Sequence, residues 1–256
     1  ITGMLQSITT RSTARCANRR RAWSPSLAST TFTITDTNTN TLASASRLEL
    51  EFFARQVAYG YEPLLKNKGD FIPSNSEHFA AGWKLEEEFL ADNDLFRAVV
   101  LTKDGFEPVL AIRGTGTGPN GTPSNNIADW IANTHILGVG GKEFETAWNT
   151  SNGIKQWLMD HPNANASITG HSQGGAQAQM LAYKAAENFI KLGQLVTFNS
   201  PGINADPTSL AGTLDSANVT HFISAGDIVS QAGVQFVPGK VKYYDFDIQG
   251  FFNPIA

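Results

Sequence analysis

The sequence predicts an α/β fold with a mostly parallel central sheet and helices on both faces. Three observations predict it. PVLAIRG (108–114), LVTFNSP (195–201) and VTHFISA (219–225) are short, near-continuous apolar runs, the pattern of strands buried on both faces. GGAQAQMLAYKAAENFIK (174–191) has the apolar spacing of a helix. Such strands and helices alternate along the chain, as in a parallel sheet. The 256 residues suffice for one large domain, and 41% hydrophobic with 16% charged residues excludes a disordered chain. A formal net charge of −4 supplies no positive field for nucleic acid, and no apolar run is long enough to span a membrane.

Residues 1–45 read as a low-complexity tail or linker. Arg11, Arg15, Arg19, Arg20 and Arg21 form a basic cluster, and Thr31 to Ser46 is rich in Thr, Asn and Ser. A solvated tail is preferred to one that touches anionic lipid or nucleic acid. Cys16, the one cysteine, cannot form an internal disulfide and reads as inert. Residues 46–256 read as a single domain. Leu48, Leu50, Phe52, Phe53, Val57 and Tyr61 fall near helical spacing, with Pro63 near the end. WKLEEEF (83–89) is amphipathic but short. FRAVVLT (96–102) is a strand joined to strand 108–114 by the turn Lys103-Asp104-Gly105.

A Gly/Pro/Asn/Ser loop (116–126) follows, then a helical stretch from Ile127 and a longer helix from about Glu143 to Met159. ASITG (166–170) is a short strand. In helix 174–191, Ala178, Leu181, Ala182, Ala185 and Phe189 form one apolar face. A hairpin is expected around Val237-Pro238-Gly239-Lys240, and the chain has no internal repeat.

Gly170-His171-Ser172-Gln173-Gly174 carries the chemistry. It matches G-x-S-x-G with a strand before it and a helix after it, the setting of a nucleophile elbow. A sharp turn there lifts the serine hydroxyl above the sheet edge. Side chains two residues either side would collide, which accounts for Gly170 and Gly174. The competing account is a capping serine at a Gly-rich helix start. A serine nucleophile needs a base, an acid to orient that base, and donors for the oxyanion. In this chain order the acid follows a later strand. Asp227, just past strand 219–225, is preferred to Asp206 and Asp215. The backbone N–H of Gln173 and a donor at Thr115 are the expected oxyanion hole, with the Thr115 hydroxyl as a further donor.

These motifs resemble the class 3 lipases, the fungal-type triacylglycerol lipase family. That family reads F-R-G-[ST], and this chain has Ile112-Arg113-Gly114-Thr115. It reads G-H-S-L-G-G-A, and this chain has Gly170 through Ala176 with Gln173 at the leucine. It reads T-F-G-x-P and N-D-x-V-P, and this chain has Thr197-Phe198-Asn199-Ser200-Pro201 and Gly226-Asp227-Ile228-Val229-Ser230. The likeness runs from about residue 50 to 232. It implies an α/β-hydrolase fold, Ser172 as nucleophile, Asp227 as acid, and Thr115 with Gln173 as the oxyanion hole. It also implies a lid over about 116–133, where Ile127, Trp130 and Ile131 would meet a lipid surface or pack in the core. No cofactor or metal is implied, and secretion is a family-level expectation.

One departure stands out. The base should be a histidine after Asp227, and none follows it. His78, His135, His161, His171 and His221 are each read as structural or solvent-facing. Either the chain is truncated before its histidine, which the Ile1 start and FFNPIA end favour, or it binds acyl ligands without turnover. The function expected is hydrolysis of lipid acyl esters through an acyl-serine. The alternatives are a carboxylesterase, a phospholipase A1, an acyl transferase, or a non-catalytic lipid-binding fold.

Overall fold

The computed structural model describes residues 42–91, 96–115, 138–204, 214–227 and 229–244. All belong to the larger compact unit, Asn40–Ala256. The tail up to 41, the helical stretch from Ile127 with the expected lid, His135 and Asp206 lie outside the described residues. The described chain joins the fold at Ala43, whose N–H donates to the Gly105 carbonyl and whose carbonyl accepts from Glu107.

Helix α1 (Arg47–Phe52) begins with a capping box. The Ser46 hydroxyl accepts from the Glu49 N–H, and the Glu49 carboxylate accepts from the Ser46 N–H. A π-helical turn, Phe53–Val57, continues it. The carbonyls of Val57, its last residue, and of the cap residue Ala58 take hydrogen bonds from buried Arg97 at 2.8 and 2.6 Å. Arg97 also pairs with Glu88 at 2.5 Å, so the helix end is pinned to the sheet.

Among the described residues seven strands form one sheet in sequence order: β1 (Lys84–Ala91), β2 (Phe96–Thr102), β3 (Val109–Ile112), β4 (Ser167–His171), β5 (Leu195–Phe198), β6 (Val219–Ser224) and β7 (Lys240–Tyr244). The first two pairings are antiparallel, and β3 through β7 run parallel. Two expectations change here, and one unassigned segment finds its place. WKLEEEF enters β1, an edge strand in which Leu85 is buried, Lys84 is exposed and the three glutamates are half-buried, Glu88 pairing with Arg97. No hairpin forms at 237–240: the chain returns to lay β7 parallel beside β6, with Thr220 opposite Lys240. The long helix from Glu143 to Met159 is two helices, α2 (Gly141–Asn149) and α3 (Ile154–Asp160). Asn152 at φ 57° breaks it.

Alternate residues of the central strands feed two apolar layers. Ala98, Val100, Leu110, Ile112 and Ile168 pack on α2, α3 and α4 (Gln173–Glu187). Val99, Leu101, Val109, Ala111, Val196 and Phe198 pack on α1 and the π-turn. Helices therefore cover both faces. Phe189 does not join the apolar face of α4: that helix ends at Glu187, and the phenyl ring is 91% exposed. Among the described residues no helix is long and apolar enough to cross a membrane.

Candidate active site

The parallel strands β4, β5 and β6 all end at the same rim of the sheet, and the candidate residues gather there. Ser172 occupies the single-residue turn between β4 and α4, with φ 56° and ψ −131°. An L-residue held in such a region costs about 1–3 kcal/mol. Ser172 is the N-cap of α4, yet its side chain makes no capping hydrogen bond. The capping account of this serine is therefore not what the structure has: its hydroxyl is half-buried and uncommitted among the described residues.

Glycines make the turn fit. A Cβ on Gly170 would strike the Gly174 carbonyl and come 2.7 Å from the Gly175 nitrogen. A Cβ on Gly174 would strike the Ile112 carbonyl oxygen at the end of β3. Gly114 lets the segment after β3 pass the elbow, since a Cβ there would lie 2.6 Å from the His171 carbonyl oxygen.

Thr115 and Gln173 are brought together at this turn. The Thr115 hydroxyl donates to the Gln173 side-chain oxygen at 2.8 Å. The hydroxyl is thus engaged with Gln173, in place of the free second donor expected from the sequence. The Gln173 backbone N–H heads α4, where helix geometry supplies no intrahelical acceptor. The positive end of the α4 dipole adds to it.

Asp227 follows β6 at the same rim as Ser172 and is half-buried. Its Oδ1 accepts from the Val229 N–H at 3.1 Å. Its Oδ2 is buried with no hydrogen-bond partner among the described residues. Asp215 lies before β6, at the opposite rim, where it caps a short turn through the Ala217 N–H at 2.8 Å. Directly after β5, Asn199 holds φ 46°, a conformation that suits Asn at the position where the resembled motif has glycine. Its Oδ1 accepts from the Ser224 N–H at 2.8 Å and tethers the chain leading to Asp227.

The four described histidines are all engaged elsewhere. His221 is buried. Its Nδ1 pairs with the Thr197 hydroxyl and its Nε2 with the Val237 carbonyl, each at 2.8 Å. Burial lowers its pKa to about 4, against a smaller opposing effect of the Val237 bond. His171 turns away from Ser172 toward Tyr59, whose hydroxyl lies 3.3 Å from Nδ1. Burial, helped by the Arg55 charge, lowers the His171 pKa to about 3. His78 accepts from the Ala80 N–H at 3.0 Å, and His161 stacks on Trp157.

Sequence reasoning missed Tyr59. Burial pushes its phenol up to about 12, and it is hydrogen-bonded to the Gly114 backbone as well as to His171. It therefore ties the chain just after the π-turn to the elbow and to the segment that follows β3. The motifs around Gly114 and Ser172 carry no signal for it, because the contact spans 112 residues.

Residues 109–236, half of the chain, match the class 3 lipase family, and the chain belongs to it. In structure the chain is similar to the Lip2 lipase from Yarrowia lipolytica, with a TM-score of 0.55 and 18% identity over 80% of this chain and 82% of that one. It is also similar to the nonglycosylated LIP2 lipase of the same yeast, with a TM-score of 0.53 and 18% identity over the same shares. The fold is that of the α/β-hydrolases. No curated protein matches the sequence. Lipase-type ester hydrolysis is the chemistry that the family carries.

Proposed function

We propose that the protein is a serine hydrolase that cleaves the acyl esters of lipids through an acyl-serine intermediate, with Ser172 as nucleophile, Asp227 as the acid, and the N–H groups of Thr115 and Gln173 as the oxyanion hole. One observation carries the reading: a serine hydroxyl left uncommitted among the described residues, on a strained turn at a helix N-terminus, beside amides able to receive an anion.

The steps follow from this arrangement. A general base takes the Ser172 proton as the oxygen attacks the ester carbonyl. The carbonyl electrons move onto oxygen, where the amides stabilise them. When the tetrahedral intermediate collapses, the alcohol departs with the proton from the base. Water then attacks the acyl-serine by the same route and releases the carboxylic acid. A base that serves both steps must reach Ser172 and Asp227 Oδ2 together, because a carboxylate orients an imidazole by accepting its second N–H. Secretion belongs to the same proposal.

The test is hydrolysis of triacylglycerol, phospholipid and p-nitrophenyl butyrate, with and without free imidazole as the base. The proposal expects imidazole-stimulated turnover that Ser172→Ala abolishes and Asp227→Asn weakens. The substrate ranking then separates lipase, phospholipase A1 and short-chain esterase. Lipid binding with no Ser172-dependent turnover under any condition would instead make the chain a non-catalytic binding fold.

A further inference from the structure

Gln173 enters the site twice, through its backbone and through its side chain. The backbone N–H heads α4 beside Ser172. The side chain is 7% exposed and accepts the Thr115 hydroxyl at 2.8 Å. Thr115 itself is exposed, and among the described residues this is the one side-chain hydrogen bond it makes.

The glutamine has a fitted place. Gly140 has φ 75°, and a Cβ there would come 2.5 Å from the Gln173 amide nitrogen and 2.7 Å from its Cγ. One turn further along α4, the Gln177 amide donates to the Gly140 carbonyl at 3.0 Å and fixes that backbone. A bare backbone therefore covers the Gln173 side chain, and a second glutamine holds that backbone in place. The resembled motif carries leucine at this position, and leucine cannot accept a hydrogen bond.

We propose that Gln173 is a positioning residue for the oxyanion hole: its side-chain amide holds Thr115 so that the Thr115 and Gln173 N–H groups converge on one point. This rests on the proposed function above. The hydroxyl of Thr115 is spent on Gln173, so what Thr115 offers the oxyanion is its backbone N–H. Stabilisation of this kind depends on donors fixed before charge develops, and displacing one by about 1 Å costs up to ~100-fold in rate. A side chain that locks the second donor to the first sets the spacing of both.

The test compares kcat and KM for p-nitrophenyl butyrate, with imidazole present, across Gln173→Leu, Thr115→Val, Thr115→Ser and the Leu/Val double variant. Gln173→Leu and Thr115→Val are expected to lower kcat ~10- to 100-fold with little change in KM. The double variant is expected to be no slower than the slower single variant, and Thr115→Ser, which keeps the hydroxyl that Gln173 accepts, to be faster than Thr115→Val. Unchanged kcat in Gln173→Leu, or losses that multiply in the double variant, would overturn the inference. Thr115 is exposed, so its variants report even where a change at buried Gln173 disturbs folding. Ser172→Ala separates the two levels. If it retains turnover, the functional reading fails; if it is inactive while Gln173→Leu is not, only the positioning role fails.

Discussion

Replacing Ser172 with glycine is expected to make the protein more stable while removing the proposed nucleophile. At φ 56° and ψ −131° the serine Cβ lies in a region that costs an L-residue about 1–3 kcal/mol. Glycine removes that cost but adds backbone entropy to the unfolded chain, about 0.5–1 kcal/mol. The fair reference is Ser172→Ala, which loses the hydroxyl but keeps the Cβ. The net expectation is that the glycine variant exceeds the alanine variant by ~1 kcal/mol, a rise in Tm of roughly 2–4 °C for a domain of this size. No capping bond is lost, since the Ser172 side chain makes none. Thermal and urea denaturation at pH 8, where the buried histidines are neutral in both states, read the difference. A glycine variant that melts at or below the alanine variant would refute the reasoning, because the backbone at 172 would then not be strained.

Two further predictions concern the scaffold. Arg97→Met keeps most of the apolar stem but leaves the Val57 and Ala58 carbonyls and the Glu88 carboxylate without their donor. A loss of ~2–4 kcal/mol is expected, read as a fall in Tm on the order of 10 °C. Acid lability is the other. His221 titrates at about 4 when folded against 6.5 when unfolded, so the unfolded chain binds the extra proton between those values. Stability is complete above pH 6.5 and is lost as pH falls toward 4, by ~3 kcal/mol from this residue. His171, lowered to about 3, acts in the same direction. Urea midpoints from pH 7.5 to 4 are expected to fall less steeply in His221→Gln than in the parent, and equal slopes would contradict the assignment.

Much of this was legible because strands that are buried on both faces cannot hide their composition. β3, β5 and β6 are apolar runs, and each emerged where such runs stand. The elbow was legible because its glycines are required by contacts within a few residues of one another. β1 was harder to read. Its three consecutive glutamates occupy both faces of an edge strand and are all half-buried, and the register shifts between Leu85 and Glu87, so WKLEEEF shows no clean period-2 alternation. The split between α2 and α3 was written in Ser151-Asn152-Gly153, a breaker that the apolar spacing on either side concealed. Ser46-Arg47-Leu48-Glu49 is a capping-box pattern that marks the start of α1 and was available to the same reading. β7 depends on a pairing with β6 that no local pattern encodes. At the site, Ser172, Thr115, Gln173 and Asp227 could be named from motifs. The Thr115–Gln173 bond spans 58 residues and the Tyr59–His171 contact 112, and such links appear only once the sheet has brought the segments together.

The most direct measurement is a crystal structure of the protein after reaction with a p-nitrophenyl alkylphosphonate. The account predicts phosphorus bonded to Ser172 Oγ. It predicts one phosphonyl oxygen within hydrogen-bond distance of the Gln173 and Thr115 backbone N–H groups. An adduct on any other residue, or a phosphonyl oxygen turned away from those two amides, would contradict it.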